Sequence, residues 1–184
     1  MSAVAAWVAG RPIPVAGVDA RIAALRAGPY AARLPDPHTA EARTMRRWMV
    51  QVLATEAVVE HEAGRLGLTA DGSPPAAVTL ADALRTGGVA AAVTAAHPLA
   101  GPLRDRVAPP GPVTGERDYY DRNRDRYPGS FEEAHAPIAA LLGAHERDQR
   151  FARWLEERCA ALVRLEPGFE HPGDPSHPDA THRH

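Results

Sequence analysis

The chain has 184 residues, enough for one domain with a sizeable buried core. Hydrophobic residues make up 45% and charged residues 24%, the ordinary balance of a globular protein. A net charge of −2 leaves no basic footprint for nucleic acid or an anionic membrane, so neither is expected as a partner.

All 21 basic residues are arginine, which together with heavy Ala, Gly and Pro use points to a GC-rich, actinobacterial genome. The single cysteine, Cys159, excludes an intramolecular disulfide and suits a reducing compartment. The opening MSAVAAWVAGRPIP has no basic n-region and is broken by Gly10, Pro12 and Pro14. It reads as neither a signal peptide nor a membrane anchor, and a cytoplasmic location is expected.

The stretch AAWVAGRPIPV predicts a short strand, a Gly turn and a second extended piece. A helix is predicted over residues 15–27, with Val18, Ile22 and Leu25 on one face. Residues 28–38 hold three prolines and read as a loop, after which Thr39 is placed to cap a long helix reaching about residue 66. Its apolar stripe is Met45, Trp48, Met49, Val52, Leu53, Val59, Ala63 and Leu66, with Arg43, Arg46, Arg47, Gln51 and Glu60 elsewhere. Glu56 interrupts the stripe; it is expected to snorkel outward from the edge, the other reading being a catalytic carboxylate of shifted pKa.

Residues 69–112 are rich in Ala, Gly and Pro, and short helices are expected over 80–85, 89–96 and 102–107. Gly87-Gly88 lacks the spacing and the following Lys of a phosphate loop. Beyond a linker over 108–115, TGERDYYDRNRDRY predicts a short charged helix. Ser130 and Glu133 then form a capping box that opens a second long helix to about residue 161, with Pro137 placed to kink it. ALVRLE alternates like a final strand and is free to pair with Trp7-Val8. The expected fold is mainly α: two long helices and several short ones, with a small β element pairing the N-terminal and C-terminal strands. The expected organisation is one domain over 1–166 followed by a His/Pro/Asp-rich segment over 167–184.

Four of these segments occur in an order that resembles SurA/parvulin-type (PpiC-like) chaperones. VAGRPIPVAGVDARIAAL is similar to their opening strand-turn-strand and helix, and MVQVLATEAVVEHEAGRLGL to their second helix with its leucine-glycine end. ERDYYDRNRDRY resembles the segment by which they enter the prolyl-isomerase domain. The long run from Ser130 to Leu165 resembles the helix and strand by which they leave it. Here only Pro128-Gly129 lies between those two segments, so no isomerase domain intervenes. The resemblance therefore implies the family's helical peptide-binding module without prolyl-isomerase activity, holding a polypeptide or a small hydrophobic ligand.

The ending FEHPGDPSHPDATHRH is the densest collection of ligand-type side chains. His182 and His184 form an H-x-H pair, and in an extended segment residues i and i+2 share a face. His171 or His177 can curl back through the turns at Pro172-Gly173 and Pro178, and Asp174 or Asp179 can complete a three- or four-ligand site. Such a set suits a divalent Zn, Fe or Cu ion, whose open positions activate water or substrate. The spacing matches no established signature, and metal-free packing or a disordered Pro-rich tail are the competing readings.

Elsewhere, His135 and His145 are expected beside the last apolar stripe, and His61 and His97 at the surface and a helix end. Cys159 reads as a buried thiol rather than a nucleophile, and Tyr119 and Tyr120 as packing or pocket residues. No G-x-S-x-G, H-E-x-x-H or C-x-x-C occurs. Two classes of function follow: the chaperone-derived binding module, or a small metal-assisted enzyme of specialised (natural-product) metabolism that uses the His-rich ending.

Overall fold

The computed structural model describes residues 3–29, 31–70 and 88–174. Strands β1 (Val4–Val8) and β2 (Arg11–Pro14) form an antiparallel hairpin that pairs Val8 with Arg11. Its two-residue turn, Ala9-Gly10, has φ of 49° and 79°. Positive φ at both positions marks a primed hairpin turn, costless for glycine but strained for alanine. Pro12 and Pro14 are tolerated because β2 is an edge strand. The third strand, β3 (Val163–Leu165), pairs antiparallel with the other edge of β1 and places Val163 opposite Val8, so the sheet order is β2-β1-β3. Trp7 donates to Glu166 at 2.7 Å, adding a side-chain bond to that junction.

Helix α1 (Val15–Arg26) leads to α2 (Ala40–Arg65), which Thr39 caps by accepting the Ala42 N–H. At 1.5 Å per residue, α2 is about 39 Å long. It is the axis of the molecule, packing on α1, β1, α3 (Val89–Ala96), α4 (Ala100–Val107) and α6 (Phe131–Leu162). A helix enclosed on so many sides needs apolar residues around most of its circumference. Accordingly Val50, Ala54 and Val58 are buried as well as the stripe of Met45, Met49, Val52 and Val59. Leu66, the last residue of the expected stripe, is exposed instead.

Helix α5 (Glu116–Arg122) precedes α6, and Ser130 and Glu133 make both halves of the capping box. Helix α6 runs unbroken through Pro137. Six α-helices and a small sheet are thus present among the described residues, the mainly α architecture that the sequence predicts. The expected helix over 80–85 lies outside those residues. Among the described residues, no helix is long and apolar enough to cross a membrane.

The main core joins Ala5, Ala6 and Val8 of β1 to Val18, the α2 face, Val93, Leu103, Phe151 and Leu155. Phe169, beyond β3, packs against it. A second cluster of Tyr120, Ala134 and Ile138 holds α5 on the first turns of α6. There Tyr120 is a packing residue whose hydroxyl donates to the Gly129 carbonyl at 2.6 Å. Neither Tyr119 nor Tyr120 lines the pocket described below.

Candidate functional site

Helical spacing brings Arg47, Gln51, Thr55 and Glu62 onto one side of α2, toward α6. These residues form a polar seam within an otherwise apolar interface. At one end, Glu62 is buried and fully answered: Arg158 donates to its Oε1 from Nε at 2.9 Å and from Nη2 at 2.6 Å. Arg65 adds a contact to Oε2 at 3.1 Å. In the middle, Thr55 donates to the Gln51 carbonyl at 2.8 Å and lies beside the Cys159 thiol. Burial pushes the Cys159 pKa up, opposed by the Thr55 hydroxyl and reinforced by the Glu156 charge. The thiol form is therefore favoured at neutral pH, as the sequence expects, but Cys159 is half-buried rather than buried.

The other end of the seam is not answered among the described residues. Arg47 is only 2% exposed, and among the described residues its one hydrogen bond runs from Nη2 to Thr44 at 3.2 Å. Its Nε and Nη1, and the Nε2 of Gln51 one turn on, are buried without hydrogen-bond partners among the described residues. An unpaired buried donor costs about 1–3 kcal/mol, and more when charged. Sequence reasoning put Arg47 off the buried stripe, because arginine on a helix normally faces water. Its burial follows from the enclosure of α2 by neighbours on nearly every side, which no single-helix pattern reveals.

Beside this seam lies a cleft of about 350 Å³. One wall is Trp48, Gln51 and Thr55 of α2, and another is Ala152, Glu156 and Cys159 of α6. The first turn of α3, residues 88–91, and His171 complete it. His171 is fixed by three contacts. Its ring stands edge-on to Trp48 at 5.6 Å, its Nδ1 accepts the Gly173 N–H at 3.0 Å, and its carbonyl accepts the Asp174 N–H at 2.9 Å. A backbone N–H can only donate, so Nδ1 carries no proton and the neutral ring bears its proton on Nε2.

Among the candidate metal ligands, the structure describes His171 and Asp174. His177, His182, His184 and Asp179 lie outside the described residues. Among the described residues, no three His, Cys, Asp or Glu side chains gather as a metal site would require. Ligation by His171 through Nε2 would move its proton to Nδ1 and displace the bond from Gly173.

The remaining candidates separate into structural roles. Glu56 does not snorkel into water: its side chain is 13% exposed and accepts a bond from Arg21 at 2.6 Å. Burial raises its pKa despite that arginine. His97 caps the C-terminal end of α3, as a helix-end residue should, yet it is buried. Its Nδ1 accepts the Leu99 N–H at 3.2 Å and its Nε2 stands 3.6 Å from Glu60. His135 and His145 are exposed on α6, against Phe131 and Gln149 respectively. None of these residues converges on the cleft.

The model of a family described as a family of unknown function (DUF7158) matches residues 4–41, covering the hairpin, α1 and the start of α2. No curated protein and no solved structure matches the chain.

Proposed function

We propose that the chain is a binding module that holds a small hydrophobic ligand, or one side chain and peptide unit of a polypeptide, without prolyl-isomerase activity. The observation that carries this reading is the cleft between α2, α3 and α6. At about 350 Å³ it falls in the lower part of the range for small-molecule sites, roughly 300–1,000 Å³. Trp48 and the alanines of α3 and α6 supply an apolar wall, with Gln51, Thr55 and His171 as a few fixed polar groups. Burial holds the cysteine in the wall as a thiol, which favours holding over covalent chemistry. The resemblance of four segments to SurA/parvulin-type chaperones, with the isomerase domain missing between two of them, supports the same function.

Binding is tested by titrating apolar small molecules and short peptides into the full chain while following tryptophan fluorescence, because Trp48 lines the cleft. Saturable quenching that is lost in Trp48→Ala supports the proposal. Absence of saturable binding across such a panel, together with failure to suppress aggregation of an unfolded client, refutes it.

One observation favours the metal-assisted alternative: His171, the first of its six candidate ligands, lines the cleft. Elemental analysis of the untagged full chain and of a variant truncated after Pro167 decides between the two. Stoichiometric Zn, Fe or Cu that disappears on truncation supports the enzyme. Metal-free protein in both forms refutes it.

A further inference from the structure

We infer that the cleft selects ligands carrying a primary ammonium beside a carbonyl on an apolar body, with the ammonium at Glu156 and the carbonyl at Gln51. This inference rests on the binding reading above and names the chemistry of its ligand.

Formal charge in the lining comes from one side chain. Among the described residues, Glu156 is the acid that lines the cleft, and no arginine lines it. Glu156 forms no ion pair among those residues, and Arg158, two positions on, is held by Glu62. The Glu156 charge is felt in the cleft wall, where it reinforces the thiol form of Cys159 one turn along α6. A carboxylate on the ligand would be repelled by that charge, and an ammonium attracted. Glu156 is exposed, so an ammonium paired with it keeps part of its hydration and escapes the full penalty of burial.

The remaining polar groups of the lining ask for an acceptor. Gln51 Nε2 is buried without a hydrogen-bond partner among the described residues. His171 bears its proton on Nε2, because Nδ1 accepts the Gly173 N–H. Helix α3 meets the cleft by its first turn, whose N–H groups have no partner within their own helix, and no side chain caps that end. A neutral carbonyl answers such donors without setting a second negative charge beside Glu156. An amine without a carbonyl would leave the Gln51 donor unanswered, and a carbonyl without an amine would leave Glu156 without a counter-charge. Trp48, Ala91 and Ala152 then receive the apolar remainder.

This pair of groups occurs in a free amino-acid amide and in the N-terminal residue of a polypeptide, and the test separates these sources. Isothermal titration of the full chain compares leucinamide with 4-methylpentanamide, its analogue lacking the amine. A leucine-first tripeptide amide is compared with the same peptide whose terminal amine is replaced by hydrogen. Low ionic strength and about pH 6.5 keep the attraction unscreened and the α-amine protonated. The expected result is that at least one amine binds more tightly than its analogue by about twofold to fivefold, the scale of a partly exposed ion pair. The pair showing the preference identifies the source. Glu156→Gln should abolish the preference while leaving binding of the uncharged analogue in place. Glu157→Gln, which removes the neighbouring charge outside the lining, should retain it. Both variants should fold, because each replaces an exposed helical residue by one of similar size and helix propensity. Circular dichroism checks this before titration.

A preference below about twofold in both pairs overturns the inference while leaving the binding function standing. A preference that survives in folded Glu156→Gln, or that Glu157→Gln removes equally, also overturns it. Failure of all four probes to bind overturns the binding function and this inference together.

Discussion

The clamp between Glu62 and Arg158 joins the two long helices, and Arg158→Met tests how much it contributes. The substitution keeps the length and apolar stem of residue 158 but removes both donors to Glu62 Oε1. Arg65 would remain, but its side chain is 59% exposed and approaches only at 3.1 Å, so it compensates weakly. Removing one partner of a buried ion pair costs about 3–5 kcal/mol. The Glu62 side chain is 4% exposed but that of Arg158 is 30%, so water enters at the arginine side and lowers the figure to about 2–3 kcal/mol. For a chain of this size the melting temperature should fall by about 4–12 °C. Urea denaturation followed by far-ultraviolet circular dichroism measures the loss directly.

The double variant Glu62→Met with Arg158→Met provides the control. With both charges gone, most of the lost stability should return, and the coupling between the two sites should be about 2 kcal/mol. A single variant within about 0.5 kcal/mol of wild type would refute the clamp, as would a double variant whose losses simply add.

Three further outcomes are expected. Ala9 adopts φ of 49° in the hairpin turn, so Ala9→Asn should raise stability by about 0.5–1 kcal/mol in chemical denaturation; a loss would contradict the turn geometry. Burial raises the Glu56 pKa above 4.5, so the folded state holds this proton more tightly than the unfolded chain. The Glu56 contribution to stability is therefore fully present below pH 4.5 and declines as pH rises through the raised folded value. Glu56→Gln should remove that decline from the curve of stability against pH, and an unchanged curve would refute the assignment. Cys159 should react with iodoacetamide more slowly than free cysteine at neutral pH, with the rate rising only under more alkaline conditions. Fast modification of the folded protein at pH 7 would show an activated thiolate instead.

Local physics was legible in the sequence. Thr39 and Ser130 are placed by rules operating over three or four residues, and both cap the helices expected of them. The pairing of the two chain ends was also readable, because ALVRLE alternates and Trp7-Val8 offers the complementary edge. The candidate site was only partly legible. His171 drew notice by its ligand chemistry, and it does line the cleft, but Asp174 is not among the cleft residues. Gln51, Arg47 and Glu62 gave no such signal, since polar residues on a long helix ordinarily face water. A weaker signal was present: polar residues recur every four to seven positions on a side of α2 that also carries Ala54 and Val58.

Amino-acid order by itself determined where the helices begin, which segments extend and that the fold is mainly α, because caps, turns and periodicity act between near neighbours in the chain. Only the tertiary structure decided that α2 is enclosed by α1, β1, α3, α4 and α6. That enclosure answers Glu62 with an arginine 96 residues away and buries the Arg47 guanidinium with two nitrogens lacking hydrogen-bond partners among the described residues. Burial and charge pairing depend on which distant surfaces meet, and neither is encoded within a window of a single helix.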